Sequence, residues 1–239
     1  MKIMDKNFSD FAFYIHTHTD CLDAMAICLG QLKKYFPNIK RYIVSNCNHP
    51  LYNQDSLLLY DEKQIYSKRL ATTLPQVVEN KIIYMHEDMI PYAEADLDEL
   101  IRVCACMDNN DIDFIRLCPN VGIGQEVLKN IRQYHGNYYF SVQPTIWKKN
   151  SFINFMSSLS MSIWDLERYA QNDCRSKYNG YTYFNGTEKL RGEQHFDSSI
   201  FPYVATAIVK GKWNNLEYER ELRSLIKEYS ISSDRSFMI

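Results

Sequence analysis

Apolar positions along the first half of the chain change period in a regular way. Phe11–His16 is a short aromatic and β-branched run, the pattern of a strand. From Leu22 the apolar residues recur at three- and four-residue spacing, through Met25, Ala26, Leu29, Leu32 and Phe36. That spacing predicts a helix, ended by Pro37. Thr17 or Thr19 can cap it, with Asp20 and Asp23 in its first turn. Arg41–Ser45 and Ser56–Tyr60 predict two more strands. Tyr66, Leu70, Leu74 and Val77 mark the next helix, which Pro75 kinks or splits. Lys81–Met85 reads as a strand, Asp96–Met107 as a helix and Phe114–Leu117 as a strand. Strands alternating with helices predict βαβ units around a mostly parallel sheet.

The second half is less regular. Tyr138–Gln143 predicts a strand, Trp147–Ser158 a helical stretch and Ser162–Gln171 another helix. Residues 176–187, rich in Tyr, Asn and Gly, predict a hairpin or loop, and Tyr203–Val209 a last strand. No repeat, low-complexity linker or composition break divides the chain. One domain over 1–239 is expected, its halves meeting near residue 120.

Composition narrows the classes. With 46% hydrophobic residues among 239, a sizeable core is available. A net charge of −2 gives no general pull toward nucleic acid, and none is expected as a partner. The seven cysteines are odd in number and contain no CxxC pair, which predicts reduced thiols and a cytoplasmic setting. The start, Met1–Asp10, is mixed and polar, so no leader is expected. No run approaches the roughly 20 apolar residues of a transmembrane segment. Oligomeric state is not specified by these features.

Two stretches carry chemistry. "FYIHTHTD", Phe13 to Asp20, ends a strand in His-x-His. One reading is a metal site like that of the polymerase-and-histidinol-phosphatase type metallophosphoesterases, which use a barrel and two or three metals. Six histidines and no second His-rich motif are few for that chemistry. The other reading needs no metal: a turn between a strand's C-terminal end and a helix is where α/β sheets bind ligands. "KIIYMHEDMIPYA", Lys81 to Ala93, runs an apolar strand into His86-Glu87-Asp88. Adjacent carboxylates at a buried strand end are costly unless something positive meets them. A divalent cation bridging to phosphate oxygens is one such partner, and a salt-bridged acidic turn is the bland alternative.

Taken in order, "YIHTHTDCLDAM", "YDEKQIYSKRLATTL", "KIIYMHEDMIPY", "FSVQPTIWKKNSF" and "SIWDLERYA" resemble a GT-A type glycosyltransferase. The likeness is to small single-domain, nucleotide-sugar-dependent enzymes of bacteria and large DNA viruses, and covers most of residues 11–213. It implies an α/β fold: a GT-A-like, Rossmann-type, mostly parallel central sheet flanked by helices, with an irregular C-terminal acceptor part. It implies a nucleotide-binding half over about 10–120 and an acceptor and catalytic half over about 121–239. The expected reaction moves a sugar from a nucleotide-sugar donor, a UDP-sugar, to a glycan or other hydroxyl acceptor.

The resemblance assigns roles to residues. The family's acidic strand-end motif, which holds Mn²⁺ or Mg²⁺, falls on His86-Glu87-Asp88. His86 replaces its first Asp, leaving Asp88 as the main metal ligand and Glu87 as the second. Thr17, His18, Thr19 and Asp20 fall beside base and ribose, which makes His-x-His a nucleotide-facing turn. Arg69 matches a nucleotide- or diphosphate-contacting arginine, suited to bidentate oxygen recognition. Gln143, with Ser141, lies beneath the donor sugar, and Lys210 and Lys212 around Gly211 fit diphosphate contact or a lid. Trp164 can stack on the acceptor sugar, and Glu167, or else Asp165, can take the acceptor proton. Helix spacing lets only one of these two acids point into the site. A plain amphipathic helix anchored by Trp164 is the structural alternative. The departure at His86 keeps a third class open, a non-catalytic nucleotide- or sugar-binding protein.

Overall fold

The computed structural model describes residues 10–191, 195–232 and 234–238. The polar start of the chain, over 1–9, and Gly192-Glu193-Gln194 beside His195 lie outside the described residues.

The alternating half folds as its periodicity predicts. It comprises β1 (Phe11–His16), α1 (Leu22–Tyr35), β2 (Arg41–Ser45), β3 (Ser56–Leu59), α2 (Tyr66–Thr73), β4 (Lys81–His86), α3 (Leu97–Asn109) and β5 (Phe114–Arg116). Pro75 splits the second helix, α2 giving way to a 3₁₀ turn over Leu74–Gln76. Asp96 caps α3, its carboxylate accepting the Glu99 amide at 3.0 Å. The rest of the chain forms β6 (Ile123–Leu128), β7 (Ile131–Tyr134), β8 (Thr145–Lys148), α4 (Lys149–Ser157), α5 (Ile163–Tyr169), α6 (Gln171–Lys177) and β9 (Gly180–Tyr183). Two short ribbons, β10 (Leu190–Arg191) with β11 (His195–Phe196) and β12 (Ile208–Val209) with β13 (Lys212–Trp213), precede α7 (Glu219–Glu228).

Nine strands make one open sheet in the order β3-β2-β1-β4-β8-β5-β9-β7-β6. Only β8 and β7 run against the others, so the sheet is mostly parallel. An open sheet is not a barrel, and this removes the metallophosphoesterase reading of His-x-His. The inner strands β2, β1, β4, β8 and β5 are buried on both faces, and alternate residues serve two cores. Phe13, Ile15, Ile83 and Met85 pack with α1 and α3, while Tyr14, Ile82 and Tyr84 pack with α2 and α4.

Trp147, expected to open a helical stretch, lies in strand β8, with the helix starting at Lys149, and three longer segments also differ from the expectation. Residues 138–143, mostly buried apart from the exposed Tyr138, are irregular because side chains occupy their backbone groups. Gln171 Oε1 accepts the Phe140 amide at 2.8 Å, Gln171 Nε2 donates to the Phe140 carbonyl at 2.9 Å, and Glu167 Oε1 accepts the Val142 amide at 2.9 Å. Residues 180–183, expected as loop or hairpin, form β9, between β5 and β7. A Cβ on Gly180 would lie 2.0 Å from Phe114 Cζ, so this glycine makes room for the Phe114 ring. Tyr203–Val209 is mostly irregular and follows the segment after β4, with Val204 donating to Ile90 at 2.9 Å and Ala207 to Asp88 at 2.9 Å.

Candidate functional site

The C-terminal end of β4 opens on a cavity of about 380 Å³. Its walls come from four places. Glu87 and Asp88 follow β4, and Arg116 ends β5. Ser141, Val142 and Gln143 come from the irregular segment, and Ile163, Trp164 and Glu167 from α5. Cys21, Asn120, Tyr138, His195, Thr206 and Ile208 are among the other residues that line it. Apolar sheet residues on either side hold the strand ends rigid, so the polar groups after them are presented at fixed positions.

The acidic pair is strained electrostatically. Burial, and for Glu87 the neighbouring Asp88 charge, raise both carboxyl pKa values above the usual carboxylate range. The Ile208 amide and Arg235 partly offset this at Asp88. Glu87 Oε2 is buried without a hydrogen-bond partner. Two hard carboxylate oxygens, one of them orphaned, suit Mn²⁺ or Mg²⁺ completing its shell with waters and phosphate oxygens. Among the described residues no group of three or more His, Cys, Asp or Glu side chains is arranged to hold a metal.

His86, the departure from the acidic pattern, also lines the cavity, but its ring is engaged by two tyrosines. Its Nε2 lies 2.5 Å from Tyr66 Oη and 3.1 Å from Tyr84 Oη, and burial lowers its pKa to about 4. It is a neutral ring held by two hydroxyls. His16 is also buried and neutral, stacked on Tyr60 at 5.1 Å.

Glu167 is fixed from the cavity floor. Its Oε1 accepts the Val142 amide at 2.9 Å and the Ser141 hydroxyl at 3.3 Å. Both bonds use one oxygen, which leaves Oε2 for another partner. Asp165 does something different: Ser162, the N-cap of α5, donates its hydroxyl to Asp165 Oδ2 at 2.6 Å and accepts the Asp165 amide at 3.2 Å. Asp165 does not line the cavity. Trp164 lines it with 68% of its surface exposed, on a helix whose buried anchor is Leu166. Gln143 is buried, its Nε2 donating to Ala205 at 3.0 Å and its Oε1 accepting from Tyr203 at 2.7 Å.

The remaining expected residues lie in the turn after β1, on α2 and at the β12–β13 turn. Thr17 is buried, while Asp20 is exposed. His18 caps the 3₁₀ turn Thr19–Cys21 through Nδ1, which accepts the Asp20 amide at 3.1 Å. That bond puts the proton on Nε2, 2.5 Å from Glu62 Oε1. Thr19 donates its amide to Asn46 Oδ1 at 3.1 Å. Arg69 stacks over Tyr60 at 4.8 Å and donates to the carbonyls of Glu62 and Gln64, both at 2.8 Å. Lys210 and Lys212 flank the β12–β13 turn, where Lys210 and Gly211 take positive φ. None of these seven residues lines the cavity beside Glu87 and Asp88.

Arg235, which sequence reading passed over, joins the two groups. It donates to Asp20 O and Gly211 O, both at 2.8 Å, and to Asp23 Oδ2 at 2.9 Å. A basic residue in a polar C-terminal stretch carries no signal of this. Arg116 was missed because a single Arg at a strand end has no motif around it.

Comparison with known proteins adds the fold. No protein-family model matches the chain, and no curated protein matches it by sequence. Among solved structures it is similar to residues 1–349 of TarS from S. aureus, with a TM-score of 0.50 and 12% identity over 92% of this chain and 64% of that one. The chain has a GT-A-type fold. It thus spans a little under two thirds of the TarS fragment's length. Lower similarity links it to the mannosyltransferase PcManGT from Pyrobaculum calidifontis, solved with GDP-Man and Mn²⁺. That match has a TM-score of 0.46 and 10% identity over 72% of this chain and 54% of that one. A CMP:2-keto-3-deoxy-manno-octonic acid synthetase complexed with CTP has a TM-score of 0.46 and 10% identity over 73% of this chain and 89% of that one. At such identities the shared feature is the fold. No helix among the described residues is long and apolar enough to cross a membrane.

Proposed function

We propose that this chain is a cytoplasmic glycosyltransferase that moves a sugar from a UDP-sugar to a hydroxyl of a glycan acceptor. The observation that carries this reading is the shared cavity: Glu87 and Asp88 line it together with Glu167 and Trp164. A diphosphate-directed acidic pair and a candidate base then meet across one sugar-sized space, on a GT-A-type fold.

In this reading Asp88 and Glu87 hold Mn²⁺ or Mg²⁺, which neutralises the diphosphate when bound. The base and ribose lie against the turn from Thr17 to Asp20, with Arg69 and the Lys210–Lys212 turn beside the phosphates. Gln143 and Ser141 lie beneath the donor sugar. Trp164 offers its exposed ring to the acceptor's apolar face. Glu167 Oε2 takes the acceptor hydroxyl's proton as that oxygen bonds to the anomeric carbon and the bond to the diphosphate oxygen breaks.

The deciding experiment is thermal shift against UDP, GDP, CMP and ADP, each with and without Mn²⁺. A ligand at 100 times its dissociation constant adds about 2.7 kcal/mol of stability. For a chain of this size that is a Tm rise of roughly 5–10 °C. UDP with Mn²⁺ is expected to give the largest rise. No rise with any nucleotide would overturn the reading, and nucleotide binding with neither donor hydrolysis nor transfer would reduce it to a binding protein.

A further inference from the structure

One end of the cavity holds a cation that neither donor binding nor proton removal uses. Arg116 is 2% exposed. Its Nη1 donates to the Tyr138 carbonyl at 2.5 Å, and its guanidinium lies 4.7 Å from the centre of the Tyr134 ring. Its Nε is buried with no partner. Among the described residues it forms no ion pair. A guanidinium removed from water is unfavourable unless an opposite charge and hydrogen-bond acceptors meet it. One carbonyl and a ring face supply neither the charge nor acceptors for the other four N–H groups.

A second basic group stands close by. His195 lines the same cavity, and its Nδ1 lies 2.9 Å from Glu217 Oε2. With Nδ1 facing Glu217, Nε2 is the ring nitrogen left for a ligand, and it is a donor in the imidazolium form that a neighbouring carboxylate favours. The chain after β5 is tied to the chain after β11: Cys118 Sγ donates to Phe196 O at 3.1 Å and Ser198 Oγ to Leu117 O at 2.5 Å. Arg116 and His195 are thus carried on joined segments. Asn120 and Tyr138 add polar groups to this end. β5 stands three places from β1 in the sheet, away from the His18 turn that follows β1, and Arg116 and Trp164 line one cavity.

We propose that Arg116, with His195 beside it, binds an oxyanion carried by the acceptor, a carboxylate or a phosphate, so that the acceptor is an acidic saccharide. The planar fork of an arginine matches two oxygens of either group, which point charges or neutral hydroxyls do not. Arg116 is here a specificity-determining residue and takes no part in the bond changes. The assignment of this anion to the acceptor rests on the glycosyltransferase reading; the anion subsite itself does not.

The test is titration of the protein, without nucleotide, by ligand-observed NMR with glucose, glucuronate and glucose 6-phosphate. At least one acidic sugar is expected to bind about tenfold or more tightly than glucose, a difference of one decade in Kd. Preference for glucuronate alone identifies a carboxylate, and for glucose 6-phosphate alone a phosphate. R116Q is expected to bring the acidic sugar down to the level of glucose. H195Q, at a half-buried position less exposed to folding failure, is expected to weaken it about threefold or more with glucose unchanged. No preference in the wild type, or a preference that survives both substitutions, overturns the proposal. UDP binding is read on the same samples: if it persists without any anion preference, only this proposal falls. If the preference stands without UDP binding, the donor reading falls instead.

Discussion

Glu167 Oε1 accepts the Val142 amide at 2.9 Å, which fixes α5 to the floor of the cavity with one carboxylate oxygen and leaves the other open to it. The bond also replaces a sheet partner for residues 138–143. One contact therefore both ends the expected strand and aims the candidate base.

Glu167→Gln keeps a carbonyl oxygen that can accept the Val142 amide, so the fold should hold and UDP binding should be unchanged. Turnover should fall about 10²-fold or more, the usual contribution of a positioned base. Steady-state kinetics with the identified donor checks this. Full activity would return α5 to a structural role.

Asp88→Asn should remove the metal-dependent part of nucleotide binding. The Tm rise with UDP plus Mn²⁺ should then equal that with UDP alone. An unchanged difference would take Asp88 out of the metal site.

Trp164→Ala removes a side chain that is 68% exposed, so stability should change by no more than about 0.5 kcal/mol. If the ring stacks on the acceptor sugar, acceptor KM should rise several-fold, with donor KM unchanged, the loss of about 1 kcal/mol of aromatic contact. An unaltered acceptor KM would count against the acceptor platform.

Gly180→Ala places a methyl 2.0 Å from Phe114 Cζ, on a ring already stacked on Trp147 at 4.3 Å. The expected cost is about 1–3 kcal/mol, or a Tm fall of roughly 2–12 °C in thermal denaturation. Combination with F114L, which shortens the opposing side chain, should recover part of it. A Tm equal to wild type would show that the strand shifts freely.

The acidic pair should make stability fall with rising pH. Glu87 and Asp88 have folded-state pKa values raised by burial. Above about pH 4 the unfolded chain therefore sheds these protons first, and the folded state loses relative stability on the way to neutrality. E87Q should lower Tm less than wild type does between pH 5 and 8. Mn²⁺ with UDP should oppose the decline, because ionised carboxylates are the form that binds a cation. An identical pH slope in E87Q and wild type would contradict this.

Local pattern alone determined the first half of the molecule. The continuous apolar runs Phe11–His16 and Lys81–Met85 and the 3.6-period face of α1 are strong because both sheet faces are covered, so side chains pointing either way from these strands are buried. The acidic strand end was legible too, since Glu87 and Asp88 directly follow an apolar run. Tertiary contact decided the rest. Residues 180–183 contain turn-forming composition but become an inner strand paired with β5 and β7, Gly180 leaving room for the Phe114 ring. Asp165 and Glu167 are equivalent acids in the sequence. They part only because Ser162 captures one as a cap and Val142 and Ser141 orient the other. Arg116 and Arg235 gain their meaning from partners 22 and more than 200 residues away, at Tyr138 and Asp20. Periodicity reports which way a side chain points from its own element. It holds nothing about which distant backbone amide, ring or carboxylate that side chain will meet.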